Sequence, residues 1–492
     1  MTIRKAQSSI LLGRPTTWLL AGALGITIGA CGGPPVVEPP AFESQLAPAV
    51  TLPGEDTPSW SIEERMEHYD VPGVSIAVID EGRIVVAKGY GLADLAEERA
   101  VTATTLFQAA SISKPVAALG ALRLVEEGRL SLDGPVNEAL VGWQVPDSEL
   151  TRDSAVSLRG LLTHTAGMTV WGFPGYPRGA ELPTVEQILD GVAPANTDPV
   201  RVWRDPGTGF RYSGGGYTVM QKAVEDAAGR PFAEYLADAV LDPAGMSEST
   251  FAQPLPQERW SRAARGHRGD GAEVEGEWHR YPELAAAGLW TTPSDLARLA
   301  IEVQQSLAGE SNRILSREMT EALLTPEPHI GWGLGFELRG EGEEQVFLHT
   351  GSNAGFKSSL VAYARRGQGV VVMTNGDQGA SLAAEIVRAV ASAYQWPTLR
   401  TEVGDTISLG PIELAAFVGT YEVPEAGWDI RVTLRSNRLY ARSGSGSRSR
   451  LYPASPTRFF RVEDGVWIEF WTGPDGQAQS LVLADEIYAQ RR

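Results

Sequence analysis

The strongest constraint on the fold is the stretch from Pro115 to Val125, which is almost wholly apolar and long enough for a helix. A helix that is apolar on every side is usually buried, and Gly128 is a suitable place for it to end. The chain has 492 residues, 43% of them hydrophobic and 21% charged, which is ordinary globular usage for two or three domains. We therefore expect a large core with this helix inside it.

Apolar runs of strand and helix length surround this stretch. The runs Gly73–Ile79 and Arg83–Tyr90 are rich in β-formers and flank Asp80-Glu81-Gly82, a good hairpin turn. Further helices are predicted at 60–69, 219–240, 294–308 and about 380–394, and further strands at Gln345–His349, Ser358–Ala364 and Gly369–Thr374. This order predicts one α+β domain over residues 60–395, with a sheet closed by both chain ends.

The pattern changes after residue 395. Residues 396–410 have the composition of a linker, and 443–450 (SGSGSRSR) is typical of a flexible loop. From residue 411 to 492 short β-rich runs alternate with turns, and the clearest runs are Trp428–Leu434, Arg438–Arg442, Arg458–Val462 and Val466–Trp471. These runs predict a separate small β-barrel or sandwich.

The first residues are typical of a targeting segment. Arg4, Lys5 and Arg14 precede an uncharged run that is too short to span a membrane as a helix and fits a secretory signal. The run ends at Cys31 in a sequence that resembles the bacterial lipoprotein cleavage box. That resemblance implies a lipid anchor on Cys31, removal of the signal, and a place in the cell envelope, on the periplasmic face of the outer membrane. The alternative is an ordinary signal peptide with a chance cysteine. The proline-rich residues 32–59 predict an extended tether.

Composition excludes several functions. The net charge of −19 argues against a nucleic-acid partner, which would require a basic face. Cys31 is the only cysteine, so the chain cannot form an internal disulfide or a multi-cysteine metal site. The six histidines lack paired spacing, so we expect no metal and no cofactor. Nothing in the sequence indicates an obligate protein partner.

Ser111 and Lys114 stand directly before the apolar stretch. If a helix begins at Ser111, the lysine lies one turn away on the same face and its amine can reach the hydroxyl. A serine hydroxyl becomes a useful nucleophile only when a neighbouring base takes its proton. The positive end of the helix dipole favours the neutral form of that lysine. The alternative is a simple helix cap, because serine and lysine are common residues.

Three further motifs complete the candidate site. Tyr212 lies in a glycine-rich loop, where its phenol can relay a proton, or it is only a half-buried loop tyrosine. His349-Thr350-Gly351-Ser352 ends a predicted strand, where Gly351 lets a substrate lie along the edge and the Ser352 N–H, with that of Ser111, can bind an oxyanion. The alternative is a strand-to-turn junction. His164, in LLTHTAGM, is interpreted as a hydrogen-bonded structural histidine.

The order of these motifs resembles the penicillin-recognising serine hydrolases, in the class C-like branch. The connecting phrases Leu161–Met168, Pro206–Ser213, Ala287–Ala297 and His349–Phe356 also resemble that family. The resemblance implies a β-lactamase/transpeptidase-like fold with an antiparallel sheet, and a small β-domain like that appended to some members. It implies that Ser111 is acylated, that Lys114 is the base and Tyr212 shares proton transfer, and that His349 and Thr350 contact a substrate carboxylate or amide.

Two departures from the family pattern bear on the substrate. Gly214 stands where the family commonly has an asparagine, and His349 stands where β-lactamases have a lysine. A histidine is mostly neutral near pH 7, which weakens attraction for a β-lactam carboxylate. We therefore expect a serine hydrolase acting on esters or D-amino-acid peptides. The alternatives are a true β-lactamase and a low-turnover penicillin-binding or sensor lipoprotein.

Overall fold

The computed structural model describes residues 40–423, 428–444, 446, 448–484 and 487–492. The predicted signal segment and Cys31 lie outside the described residues. The central element is a seven-stranded sheet, in which all paired neighbours run antiparallel. Its strands, from one edge to the other, are Arg99–Ala100, Arg83–Asp94, Gly73–Asp80, Gly369–Thr374, Phe356–Tyr363, Val346–Asn353 and Glu337–Arg339. The predicted α+β fold, closed by strands from both ends of the domain, is confirmed.

The sheet is buried on both faces, which explains the continuous apolar runs in its sequence. Along Gly73–Asp80, Ala77 and Ile79 pack into the core on the helical side, whereas Ile76 and Val78 pack into a second core on the opposite side. Successive side chains of a strand point to opposite faces, so the apolar side chains on both faces of this strand are buried. The predicted hairpin is confirmed, with Asp80 paired to Arg83 across its turn.

The predicted apolar helix forms from Ser113 to Glu126 and lies inside the larger core. Around it on the same side of the sheet lie the helices Leu158–Leu162, Val185–Asp190, Gly214–Ala228, Phe232–Leu236, Asp242–Ala244, Leu284–Ala287, Pro293–Ala308 and Arg317–Leu323. The helices Ile62–His68 and Gly379–Ala393 pack on the other face. The predicted helix over 219–240 is wrong in its length, because Gly229 takes a left-handed conformation and ends the first helix.

The tether prediction is wrong for the described part of residues 32–59. Phe42 and Leu46 are fully buried in the core behind the sheet. Val50–Thr51 forms a short parallel strand with Glu402–Val403. The segment is rich in proline, which suggested an extended tether, but it also contains these two buried apolar side chains. Burial of each contributes about 1.5–3 kcal/mol to the stability of the fold.

The C-terminal residues form a closed barrel of eight strands with its own apolar core. The strands are Gly419–Val423, Trp428–Arg435, Arg438–Ser443, Ser449–Pro453, Arg458–Phe460, Trp467–Thr472, Ala478–Leu483 and Ile487–Arg491. Two boundaries differ from the predictions. Trp396, which was assigned to the linker, is fully buried against Tyr363. The last two residues of the predicted loop 443–450 belong to the strand Ser449–Pro453. No helix within the described ranges is both long and apolar enough to cross a membrane.

Candidate active site

Ser111 lies in a short 3₁₀ turn, Ala110–Ile112, that leads directly into the central helix. The prediction that Ser111 begins the α-helix is therefore corrected by two residues. Ala110 has a positive φ of 51°, a strained conformation for a residue with a side chain. The Ser113 hydroxyl donates to Ala110 O at 2.6 Å and accepts from Leu289 N at 3.0 Å. These bonds hold the turn that carries Ser111 in its strained form.

Lys114 is held against Ser111 in a fully buried position. Its Nζ donates to Ser111 Oγ at 3.1 Å and to the backbone oxygen of Ala286 at 2.8 Å. No acidic side chain is among these contacts, and desolvation lowers the pKa of Lys114 to about 7. A large fraction of Lys114 is therefore a neutral amine near neutral pH, which is the form able to accept a proton.

Tyr212 lies beside Ser111 in the same cavity, and their side chains form a hydrogen bond. The Ser213 hydroxyl caps the helix Gly214–Ala228 by accepting from Gly216 N at 2.9 Å, so Tyr212 directly precedes the capping residue of this helix. Burial raises the pKa of the Tyr212 phenol, and a hydrogen bond with the Ser111 side chain opposes that shift only in part. The phenol keeps its proton over the physiological range and can donate it.

His164 supports Tyr212, a role that the sequence did not reveal. Its ring packs on the Tyr212 ring with centroids 4.3 Å apart, its Nδ1 accepts from Ser213 N at 3.0 Å, and its carbonyl oxygen accepts from Arg211 N at 2.9 Å. The prediction of a hydrogen-bonded structural histidine is confirmed. What the local motif could not show is that its partners are the residues on either side of Tyr212.

His349 lies within the Val346–Asn353 strand, not at its end as predicted. Its Nδ1 is 2.6 Å from Thr350 O, so Nδ1 carries the hydrogen and Nε2 is a bare acceptor. Nε2 is buried and has no hydrogen-bond partner within the described structure. Burial, and then the nearby charge of Lys114, lowers the pKa of His349 to about 3. A neutral acceptor suits a substrate N–H or O–H and not a carboxylate.

Thr350, Gly351 and Ser352 follow in the same strand, and Thr350 and Ser352 line the cavity in front of Ser111. Gly351 has a different use from the predicted one. A Cβ at Gly351 would overlap Ala109 O, so the bare position accommodates the turn that carries Ser111 and not a substrate. The roles of Thr350 and of the Ser352 N–H remain predictions.

The cavity in front of Ser111 has a volume of about 550 Å³ and aromatic walls. Trp171 and Trp332 line it, whereas Tyr176 and Trp290 are buried elsewhere and Trp203 lies outside the lining. The other lining residues are Gly172, Phe173, Phe210, Ala286, Ala287, Glu337 and Asn353, together with Ser111, Lys114, Tyr212 and the strand residues above. Phe173 and Phe210 were not predicted, because nothing in their local sequence distinguishes them.

Phe173 also accounts for Gly214. A Cβ at Gly214 would lie 2.9 Å from the Phe173 ring, and Gly214 N donates to Trp171 O at 3.0 Å. An asparagine side chain at position 214, as in the family pattern, would require the space that Trp171 and Phe173 fill. Within the described ranges, no group of three or more histidine, cysteine or acidic side chains is placed to hold a metal ion.

Comparison with known proteins agrees with this geometry. Residues 61–395 match the Beta-lactamase family, and residues 407–491 match a domain of unknown function, DUF3471. The chain is 24% identical to a penicillin-binding protein of Bacillus subtilis (strain 168), over 85% of this chain and 94% of that one. It is 27% identical to penicillin-binding protein 4 of Amycolatopsis lactamdurans, over 73% and 94% of the two chains.

A solved structure extends the similarity across both folded parts. The octameric penicillin-binding protein homologue from Pyrococcus abyssi has 24% sequence identity and a TM-score of 0.57, and the match covers 88% of this chain and 98% of that one. At this identity the likeness establishes the fold alone. The family match spans well over half of the chain and includes Ser111, Lys114, Tyr212 and His349. The chain therefore belongs to the Beta-lactamase family, the penicillin-recognising serine hydrolases.

Proposed function

We propose that the protein hydrolyses esters or D-amino-acid peptides through an acyl-enzyme on Ser111. The observation that carries this proposal is the 3.1 Å contact between Ser111 Oγ and Lys114 Nζ, in a site where no acidic side chain of the described residues pairs with Lys114. A buried amine with a pKa of about 7 is an effective general base near neutral pH. The nucleophile and its base are therefore already within hydrogen-bonding distance.

In the first half of the reaction, Ser111 Oγ attacks the substrate carbonyl carbon and its proton passes to Lys114 Nζ. The bond to the leaving alcohol or amine then breaks, and the Tyr212 phenol gives that group a proton and recovers one from Lys114. In the second half, water attacks the acyl carbon, gives its proton to the same groups, and Ser111 Oγ leaves with a proton restored. Tyr212 acts here as a proton donor and relay, because its raised pKa makes the phenolate a minor form.

The substrate preference follows from the charge state of the walls. Lys114 and His349 both have lowered pKa values, and the other lining side chains are mostly aromatic or small. The one lining acid, Glu337, is paired with Arg339 at 2.6 Å. A substrate carboxylate would find little positive charge here, so we infer that uncharged esters and peptide amides react faster than penicillins.

A substrate panel tests this proposal. Nitrophenyl esters, D-alanine peptides with an amidated C-terminus and a chromogenic cephalosporin should be compared on the chain that lacks residues 1–31, and the esters or the peptide amides should turn over fastest. His349→Lys replaces the neutral acceptor by a cation, which should raise reactivity with penicillins about 10- to 150-fold. A wild-type protein that hydrolyses penicillins faster than any ester or peptide would contradict the preference.

Trapping the intermediate tests the mechanism itself. Mass spectrometry of the intact protein with a slow acylating inhibitor should show one adduct, and peptide mapping should place it on Ser111. An adduct on another serine would overturn the mechanism. An adduct on Ser111 with no turnover of any ester or peptide would favour the alternative of a low-turnover sensor.

We also propose, from the sequence alone, that Cys31 is lipidated and anchors the protein in the cell envelope. Cys31→Ser should then move the protein from the membrane fraction to the soluble envelope fraction. Unchanged membrane association in that variant would contradict lipidation.

A further inference from the structure

One face of the C-terminal barrel concentrates positive charge in an otherwise acidic protein. Residues 411–492 contain ten arginines, no lysine and ten acidic residues, so the net charge of −19 belongs to the rest of the chain. Residues 431–450 hold six of these arginines and no acidic residue: Arg431, Arg435, Arg438, Arg442, Arg448 and Arg450. We call the outer surface formed by these six the arginine face.

The strand register places four of the six side by side. Trp428–Arg435 and Arg438–Ser443 run antiparallel, with Arg431 opposite Arg442 and Arg435 opposite Arg438. All four are exposed, while the residues between them alternate into the barrel core. Directly opposed side chains lie about 5 Å apart at Cβ, and like charges at that distance destabilise a strand pair. Two such pairs in one hairpin lower its stability slightly, and an anion bound between the guanidinium groups would relieve that repulsion.

The third strand extends the same surface. Arg450 is opposite Tyr440, which is itself opposite Thr433 on the first strand, so the face spans three strands. The Arg450 guanidinium lies over the Tyr452 ring at 4.1 Å, and the Arg448 guanidinium lies 5.9 Å from the Tyr440 ring centroid. Stacking on an aromatic ring leaves the edge of a guanidinium free to donate hydrogen bonds.

No acidic side chain of the described residues pairs with any of the six. Two acids on the first two barrel strands, Glu422 and Asp429, both pair with Arg492, at 3.1 and 3.4 Å. At this end of the face, Arg431, Arg442 and Arg492 line a depression of about 250 Å³ with Trp428 and Asp429. Among the described residues, the arginine face is therefore a cationic surface whose six guanidinium groups form no ion pair, and it can accept an anionic partner from outside.

We propose that the arginine face binds the phosphate groups of an anionic phospholipid surface. A guanidinium presents a planar fork that matches phosphate oxygens, and clusters of four to eight basic residues bind anionic membranes. The rest of the chain, at −19, would repel a flexible polyanion that reached beyond the face, whereas a planar membrane meets one face only. The geometry thus favours a lipid surface over a nucleic acid or an acidic polysaccharide.

Vesicle binding tests the proposal on the chain from Gly32 onward, so that lipidation of Cys31 cannot contribute. The protein should sediment with vesicles of equal parts phosphatidylglycerol and phosphatidylcholine, should not sediment with phosphatidylcholine alone, and should dissociate at high salt. The variant R431Q/R435Q/R438Q/R442Q should bind about 100-fold more weakly or worse. Its hydrolysis of a soluble ester should be unchanged, because none of the four lines the Ser111 cavity.

A matched control removes the same charge elsewhere. R83Q/R152Q/R230Q/R317Q changes four partly or fully exposed arginines, each paired with an acid on the surface of the hydrolase domain. This control should bind vesicles like the wild type or slightly less well. Should the first variant fail to fold, R435Q/R438Q alone, at the hairpin turn, should still weaken binding about 10-fold.

Three results would overturn the proposal. Equal vesicle binding by the wild type and the arginine-face variant would show that the arginine face does not contact the lipid. Tighter binding to duplex DNA or to heparin than to the vesicles, at equal salt and anion concentration, would assign the face to a polymer. Self-association that depends on the four arginines, without vesicle binding, would assign it to the acidic surface of a second copy.

Discussion

The basic side chains of the Ser111 cavity and those of the arginine face differ in their charge state. In the cavity, burial lowers the pKa of Lys114 to about 7 and of His349 to about 3, so both basic groups are shifted toward neutrality. On the arginine face, six guanidinium groups remain charged and unpaired with any described acid, and like charges stand opposite one another. Desolvation turns a lysine into a base that accepts a proton, whereas exposure keeps arginines as fixed cations for long-range attraction.

Removal of the nucleophile or its base should have the largest effect. Ser111→Ala, Lys114→Ala and the double variant should each lower kcat/KM for a nitrophenyl ester by about 10⁴- to 10⁶-fold and to a similar final rate, because residues that act as one unit are not additive. Steady-state kinetics and thermal unfolding of the three variants provide the measurement. A double variant far slower than either single variant would show that the two residues act separately.

The pH dependence of the reaction should follow Lys114 next. The neutral amine is the active form, so kcat/KM should rise with pH up to about 7 and then level off, and should be about 100-fold lower two units below that value. The groups that face Lys114 are Ser111, Tyr212, Tyr217, His164 and His349. His349 titrates near 3 and should add no inflection. A profile measured with an uncharged ester that is flat from pH 5 to 8 would contradict this assignment.

Burial of Lys114 should lower the free energy of unfolding of the protein. Its pKa is about 7 in the folded protein and 10.5 when exposed, so the penalty is full below pH 7 and disappears as the pH rises to 10.5. Lys114→Met should therefore raise the free energy of unfolding by about 2–4 kcal/mol at pH 7, less any loss from the unpaired Ala286 oxygen. Denaturant unfolding at several pH values measures this gain. Lys88→Met, at an exposed ion pair, is the control and should gain nothing.

The support of Tyr212 by His164 should have a smaller, separable effect. His164→Phe keeps the ring against Tyr212 but leaves the Ser213 N–H without its acceptor, whereas His164→Asn keeps an acceptor near Nδ1. We expect kcat to fall about 10-fold in the Phe variant and less in the Asn variant, since a buried unpaired donor costs about 1–3 kcal/mol. A Phe variant as active as the wild type would show that the hydrogen bond does not position Tyr212.

The smallest expected effect tests the opposed arginines. R431Q/R442Q removes one like-charge pair and should raise the unfolding free energy by a few tenths of a kcal/mol at low salt, with the gain vanishing at high salt. Denaturant titrations at two salt concentrations would detect it. A lower free energy of unfolding in the variant would mean that the packing of these two side chains stabilises the barrel by more than their charge repulsion destabilises it.

Sequence patterns predicted the parts of this protein whose periodicity is local. The Ser113–Glu126 helix, the Gly73–Asp80 hairpin strand and the Ser111–Lys114 pair follow from residues that are neighbours in the chain. The family resemblance added Tyr212 and His349, which belong to distant segments that the fold brings to one cavity. Neither kind of reasoning could show that Gly351 accommodates Ala109.

The unpredicted parts depend on partners remote in the chain. Phe42 and Leu46 look like isolated apolar residues among prolines until the back of the sheet covers them. Ser449–Pro453 follows a low-complexity run and becomes a strand only because its neighbours in the barrel supply hydrogen bonds. His164 has no local feature that indicates Tyr212, since ring packing and hydrogen bonds between distant segments bring them together.

The segment before the hydrolase domain has a mechanical consequence. Ala49 and Val50 donate backbone hydrogen bonds to Glu463 and Val462 of the barrel, and Val50–Thr51 pairs with the strand Glu402–Val403. The barrel is thus attached at two places, by its own linker and by a segment from the opposite end of the chain. A domain held at two points cannot swivel freely. A membrane bound to the arginine face would therefore restrict how far the mouth of the Ser111 cavity can turn relative to the lipid plane.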